Sequence, residues 1–133
     1  SATLRGAMAP NMKVLQTIRP LSIVKLGDKY IMDMGQNMVG WIRMKVRGDK
    51  DDVIKMRFAE TLQKNGELYV ENLRDARVTD TYICNGKENG AEWAPRFVYH
   101  GFRYVEIKGY KNPTLDDFMG EVVSDEVIGS YND

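Results

Sequence analysis

The chain has 133 residues, 43% hydrophobic and 29% charged, which is the size and balance of one globular domain around one core. Its 19 basic and 19 acidic residues cancel, so it lacks the basic excess that a nucleic-acid partner or a polybasic membrane anchor calls for. Its apolar runs fall short of the roughly 18–20 residues of a membrane helix, and its first residues lack the apolar stretch of a signal peptide.

In chain order, residues 13–18 and 21–25 are strand candidates, separated by Pro20, which cannot donate to a ladder and suits a break or an edge. Residues 30–34 make a short strand that stops at Gly35. From 41 to 47, Ile42, Met44 and Val46 alternate with Arg43, Lys45 and Arg47, the period of a half-buried antiparallel strand. After the polar turn 48–51, Ile54, Met56 and Phe58 repeat the pattern. These two strands are either hairpin neighbours or members of opposite sheets. Asn65-Gly66, between Leu62 and Leu68, accepts the positive φ of a tight hairpin turn. Helical period is weak. Its best instance, 70–76, is too short for a core helix and reads equally as an ordered loop. Strands at 78–84, 102–108 and 118–124 complete the set, with turns at 85–90 and 111–113. Short strands at this spacing predict an all-β fold: one domain over 1–133, an antiparallel sandwich of two sheets, jelly-roll or concanavalin-like, with little helix.

Chemistry-bearing patterns are sparse. Phosphate-binding glycine loops are missing. Cys84 is the single cysteine and reads as a buried structural thiol, and His100 is the single histidine, so neither a thiolate nor a multi-histidine metal site can form. Asp49-Lys50-Asp51-Asp52 lacks the ligand spacing of a calcium loop and reads as a solvated turn. The expectation is no cofactor and no metal. A Ser–His–Asp triad would have to use His100 and lacks a nucleophile elbow, which favours a hydrogen-bonded histidine at a strand entrance. Glycoside hydrolysis needs two carboxyls at a set separation. Glu60, Glu71, Asp75, Asp80 and Glu106 supply acids, and Glu60 ends an apolar strand where burial would raise its pKa. Arg57 and Arg74 are equally available to it as salt-bridge partners. The segment Asn72-Leu73-Arg74-Asp75-Ala76-Arg77 is dense in hydrogen-bonding groups suited to sugar hydroxyls, a partner domain or internal bracing. Trp41, Trp93, Tyr69, Tyr99 and Tyr104 are either sugar-stacking platforms or packing residues.

Several motifs occur in the order found in one family. They are Ile18-Arg19-Pro20-Leu21-Ser22; Asp33-Met34-Gly35-Gln36-Asn37 with Gly40-Trp41, where Met34 stands in place of the usual Phe; Arg57-Phe58-Ala59-Glu60; Glu71-Asn72-Leu73-Arg74; Thr79-Asp80-Thr81-Tyr82; His100-Gly101-Phe102-Arg103-Tyr104-Val105-Glu106; and Gly129-Ser130-Tyr131. The chain thereby resembles the concanavalin-like β-sandwich domain of bacterial α-L-rhamnosidases, glycoside hydrolase family 78. The resemblance implies that the catalytic acids lie in an (α/α)6 barrel downstream, so no position here is assigned a catalytic role. It implies a non-catalytic domain with a structural or docking role beside that barrel, or alternatively a carbohydrate-binding module for rhamnose-containing glycans. Glu60, Asn72, Arg74, Tyr99, His100 and Arg103 are the candidates for ligand or domain contact.

Overall fold

A computed structural model describes residues 5–7, 13–70, 79–95 and 98–124. The alternating segments form nine strands: β1 Arg5–Ala7, β2 Lys13–Ile18, β3 Ser22–Leu26, β4 Lys29–Lys45, β5 Val53–Ala59, β6 Thr79–Ile83, β7 Glu92–Trp93, β8 Val98–Lys108 and β9 Phe118–Ser124. A 3-10 turn at Leu115–Asp117 precedes β9, and Thr114 and Asp117 close it through a reciprocal capping box. The 70–76 candidate lies outside the described residues from position 71 on, as do Asn72 and Arg74 and the 129–131 motif.

All strand pairs are antiparallel, and the hydrogen-bonded path runs β2-β9-β4-β8-β5-β6, with β1 on β8 and both β3 and β7 on β4. The first half of β4 lies between β3 and β8, with Ile31 opposite both Val24 and Glu106. Gly40 stands opposite His100 of β8 and Val122 of β9. Beyond it, Trp41 to Met44 continue along β9, and Met44 and Lys45 also pair with Trp93 and Glu92 of β7. The all-β sandwich is therefore one curled antiparallel sheet, and its two layers are continuous through β4. The 41–47 and 54–58 segments are not hairpin neighbours, because β8 lies between β4 and β5.

The strand expected to stop at Gly35 instead runs on to Lys45. Gly35 takes φ 82°, and the register between β4 and β8 slips between Asp33 and Met38. The residues that read as a terminator form an irregularity within one long strand, exposed at Gly35, Gln36 and Asn37. At the other turns the residue types and the structure agree. Gly66 takes φ 88° at the Asn-Gly turn, which closes with a bridge between Leu62 and Leu68.

The side chains facing between the layers are the ones the period-2 pattern marks. Ile54, Met56 and Phe58 from β5 and Val105 and Ile107 from β8 meet Ile42, Met44, Val46 and Phe118. Five methionines, Met32, Met34, Met38, Met44 and Met56, belong to this core, and their unbranched side chains suit the uneven gap inside a curled sheet. Cys84 is buried at its margin, and desolvation pushes its thiol pKa up, which makes it an inert packing group.

Gly40 sits where the layers join. A Cβ there would lie 1.8 Å from the Glu121 carbonyl oxygen, a backbone atom held in the β9 ladder. Gly40→Ala is expected to push β9 off β4 and to cost about 3 kcal/mol or more, read by urea unfolding. A loss of under about 1 kcal/mol would show that the two layers are not locked at this contact.

Candidate functional site

The candidate residues divide by burial. Glu60 is half-buried just beyond the end of β5, where the 61–70 hairpin begins. Tyr99 is buried in a small cluster with Trp41, Ala94 and Val123, apart from the main core. Trp41 is likewise buried, and its indole Nε1 donates to Glu121 at 2.7 Å. Neither ring is available to stack on a sugar. Trp93 packs against Tyr82 with centroids 5.1 Å apart, and Tyr69 remains exposed.

His100 lies within β8, two residues beyond its start, rather than at a strand entrance. The ring has no solvent exposure and stacks on Phe58 with centroids 4.2 Å apart. Its Nε2 is 3.0 Å from Asp80 Oδ1 of β6, within hydrogen-bond distance. Both side chains point into the core, from strands on either side of β5. His100 Nδ1 and Asp80 Oδ2 are buried with no hydrogen-bond partner among the described residues.

Arg103 grips Asp33 with two bonds, Nε to Oδ1 at 2.9 Å and a terminal nitrogen to Oδ2 at 3.2 Å. The guanidinium also lies 5.0 Å from the centre of the Tyr104 ring. Asp33 Oδ1 accepts a third bond from the Gly35 amide at 2.7 Å. The arginine thereby pins the slipped stretch of β4 to β8. These bonds, that from Arg103 foremost, hold the Asp33 carboxyl below its usual pKa.

Two further acids are bound within the domain in ways that local sequence does not announce. Glu106 is buried between Arg57, at 3.3 Å, and Lys29, at 3.5 Å. Lys29 also reaches Glu67 of the hairpin at 2.6 Å. Glu121 accepts from Trp41 and pairs with Arg43 at 3.0 Å. The partners are 38 to 80 residues apart in sequence, so only the fold brings them together. The available signal was the motif set itself: Asp33 with Arg103, Asp80 with His100 and Arg57 with Glu106 each join two different motifs.

A curled antiparallel sheet with an apolar interior and cross-braced polar edges defines an all-β, concanavalin-like sandwich domain. The family model described as the bacterial α-L-rhamnosidase concanavalin-like domain matches residues 24–124, and the chain belongs to that family. Among curated proteins it is 44% identical over 96 residues to an α-L-rhamnosidase of Streptomyces avermitilis, covering 71% of this chain and 9% of the relative. It is 47% identical over 103 residues to one of Formosa agariphila, covering 75% and 11%. Among solved structures, the α-L-rhamnosidase from Dictyoglumus thermophilum superposes with a TM-score of 0.80 at 41% identity, over 89% of this chain and 14% of that one. The Streptomyces avermitilis enzyme complexed with L-rhamnose gives a TM-score of 0.77 at 34% identity, over 86% and 11%. The chain thus spans about a tenth of the length of the curated relatives it matches.

Two substitutions check these assignments. Folded Asp33 titrates below its unfolded value of about 3.9, so its pair stabilises the fold above that pH and stops doing so as the pH falls through the lower folded pKa. Asp33→Asn is expected to cost about 1 kcal/mol at pH 7, a modest figure because Arg103 is 37% exposed, and to flatten the loss of stability below about pH 4. Thermal midpoints between pH 2 and pH 7 read both. His100→Ala removes a buried ring and leaves Asp80 uncompensated, and is expected to cost about 3–4 kcal/mol in denaturant unfolding.

Proposed function

We propose that this chain is a non-catalytic accessory domain of an α-L-rhamnosidase, a scaffold beside the catalytic barrel of a longer polypeptide that removes terminal α-L-rhamnose from glycans. One observation carries the reading: three acids of the family motifs, Asp33, Asp80 and Glu106, are bonded to side chains of other strands. Arg103 holds Asp33, His100 holds Asp80, and Arg57 with Lys29 holds Glu106. Acid–base hydrolysis of a glycoside needs two carboxyls free to face a sugar across a set gap. Here these acids are tied to cations and N–H groups that keep strands in register. The motifs read as the bracing of a sandwich, and the small share of each relative that the chain covers supports a role as part of a larger enzyme.

The binding alternative, a module for rhamnose-containing glycans, has a place to be tested. A shallow depression of about 430 Å³ at one end of the sandwich is lined by Lys25, Asp28, Tyr30, Asp52 and Lys111, among others. The polar atoms there are partly committed, since Asp52 accepts from the Asp49 amide and Lys111 pairs with Asp49.

Purified chain incubated with nitrophenyl α-L-rhamnoside is expected to release no nitrophenol above the buffer rate, and calorimetric titration with rhamnose is expected to give no saturable heat. Turnover by the chain alone would overturn the non-catalytic reading. Saturable heat lost in Asp28→Ala would instead establish the binding module.

A further inference from the structure

The registers of β4, β8 and β5 place three lysines in one straight row. Lys29 stands opposite Lys108, and Lys108 stands opposite Lys55. Each lies next to an inward-facing residue of its strand, Tyr30, Ile107 and Ile54 or Met56, so all three project from the outer face of the first layer. Arg57 is on the same face, two residues along from Lys55, where it meets Glu106. Like charges directly opposite on neighbouring strands destabilise a sheet. Only one of the three lysines is neutralised: Lys29 by Glu67 and Glu106. Among the described residues, Lys55 and Lys108 make no ion pair. Glu67 answers to the same cluster, its carboxyl held below the usual range by Lys29 first and by Lys108 and Arg57 at longer range.

A sandwich that needed only solubility would set opposite signs across from each other, as Arg57 with Glu106 and Lys45 with Glu92 do in this sheet. Three cations in register on strands in the interior of a sheet have no edge to guard against pairing, the usual reason for a lysine on a strand. Lys55 is exposed and Lys108 half-buried, while the Lys29 side chain, 15% exposed, is held by Glu67 at the margin of the 61–70 hairpin, so the free positive charge of the row lies at Lys108 and Lys55 on a chain whose net charge is zero. The row is complementary to an acidic surface of similar width.

We propose that the Lys29–Lys108–Lys55 row is a docking face for an acidic patch on the polypeptide that extends beyond this domain. The occupant follows from charge complementarity and from the length of the relatives, of which this chain covers about a tenth. This rests on the accessory-domain reading above, and it adds the face of the sandwich that meets the neighbour.

The test uses one substitution in two contexts, the 133-residue chain and the longer polypeptide. In the chain alone, Lys55→Glu replaces a repulsion with a cross-strand pair to Lys108, and its melting midpoint is expected to rise by about 2–3 °C. In the longer polypeptide the same change sets a carboxylate against the acidic patch, and the midpoint of this domain is expected to fall by several degrees. The neutral Lys55→Gln is expected to lie between, and 1 M salt is expected to shrink the difference between contexts. A rise in both contexts, or no change in the longer polypeptide, would overturn the docking face. So would saturable binding of polygalacturonate to the chain, lost in Lys55→Gln, without a sign change between contexts, because the row would then serve an acidic glycan. None of these outcomes bears on the nitrophenyl rhamnoside assay, so the two readings fail separately.

Discussion

The fold depends on β4 serving two layers at once. A strand has two edges, and β4 spends them differently along its length: β3 and β8 bond its first half, and β9 takes over at Gly40. The hand-over requires two backbones to approach within a distance that leaves no room for a side chain, and the Glu121 carbonyl fills the space where a Cβ would sit. Once β4 is placed, the methionine-rich core is enclosed by one sheet folded on itself, and the layers cannot slide apart without breaking a continuous ladder.

The polar pairs serve the same end. Arg103 clamps Asp33 where the register of β4 and β8 slips, and Glu106 is sandwiched between Lys29 and Arg57 across three adjacent strands. Asp80 and His100 reach past β5 inside the core. Breaking a buried pair of this kind costs more than making it contributes, because the surviving charge is stranded away from water. Each pair joins two strands at one register.

Much of the fold was legible because half-buried strands write their period openly. Ile42, Met44 and Val46, and then Ile54, Met56 and Phe58, are all buried as alternation requires, and the strands at 13–18 and 118–124 agree with the residues that form them. The misreading at Gly35 has a physical cause. A glycine followed by Gln36 and Asn37 has the composition of a turn, and only the partner strand reveals that the ladder resumes at Met38. The position of β8 between β4 and β5 was hidden for a similar reason, since pairing order belongs to the whole sheet. Of the candidate residues, Arg103 and His100 prove to be cross-strand braces, Tyr99 is packed away, and Glu60 borders the hairpin. Their partners are 20 to 70 residues distant, beyond the reach of any local pattern.

Native-state hydrogen exchange on this chain would probe the shared-strand architecture most directly. If β4 unites the layers, the amides of Ile31 to Asp33, bonded in the first layer, and those of Trp41 to Met44, bonded to β9, exchange only through global unfolding and share one free energy of opening. Two distinct plateaus, with the β9 half of the strand opening at lower energy while the β8 half stays protected, would contradict it.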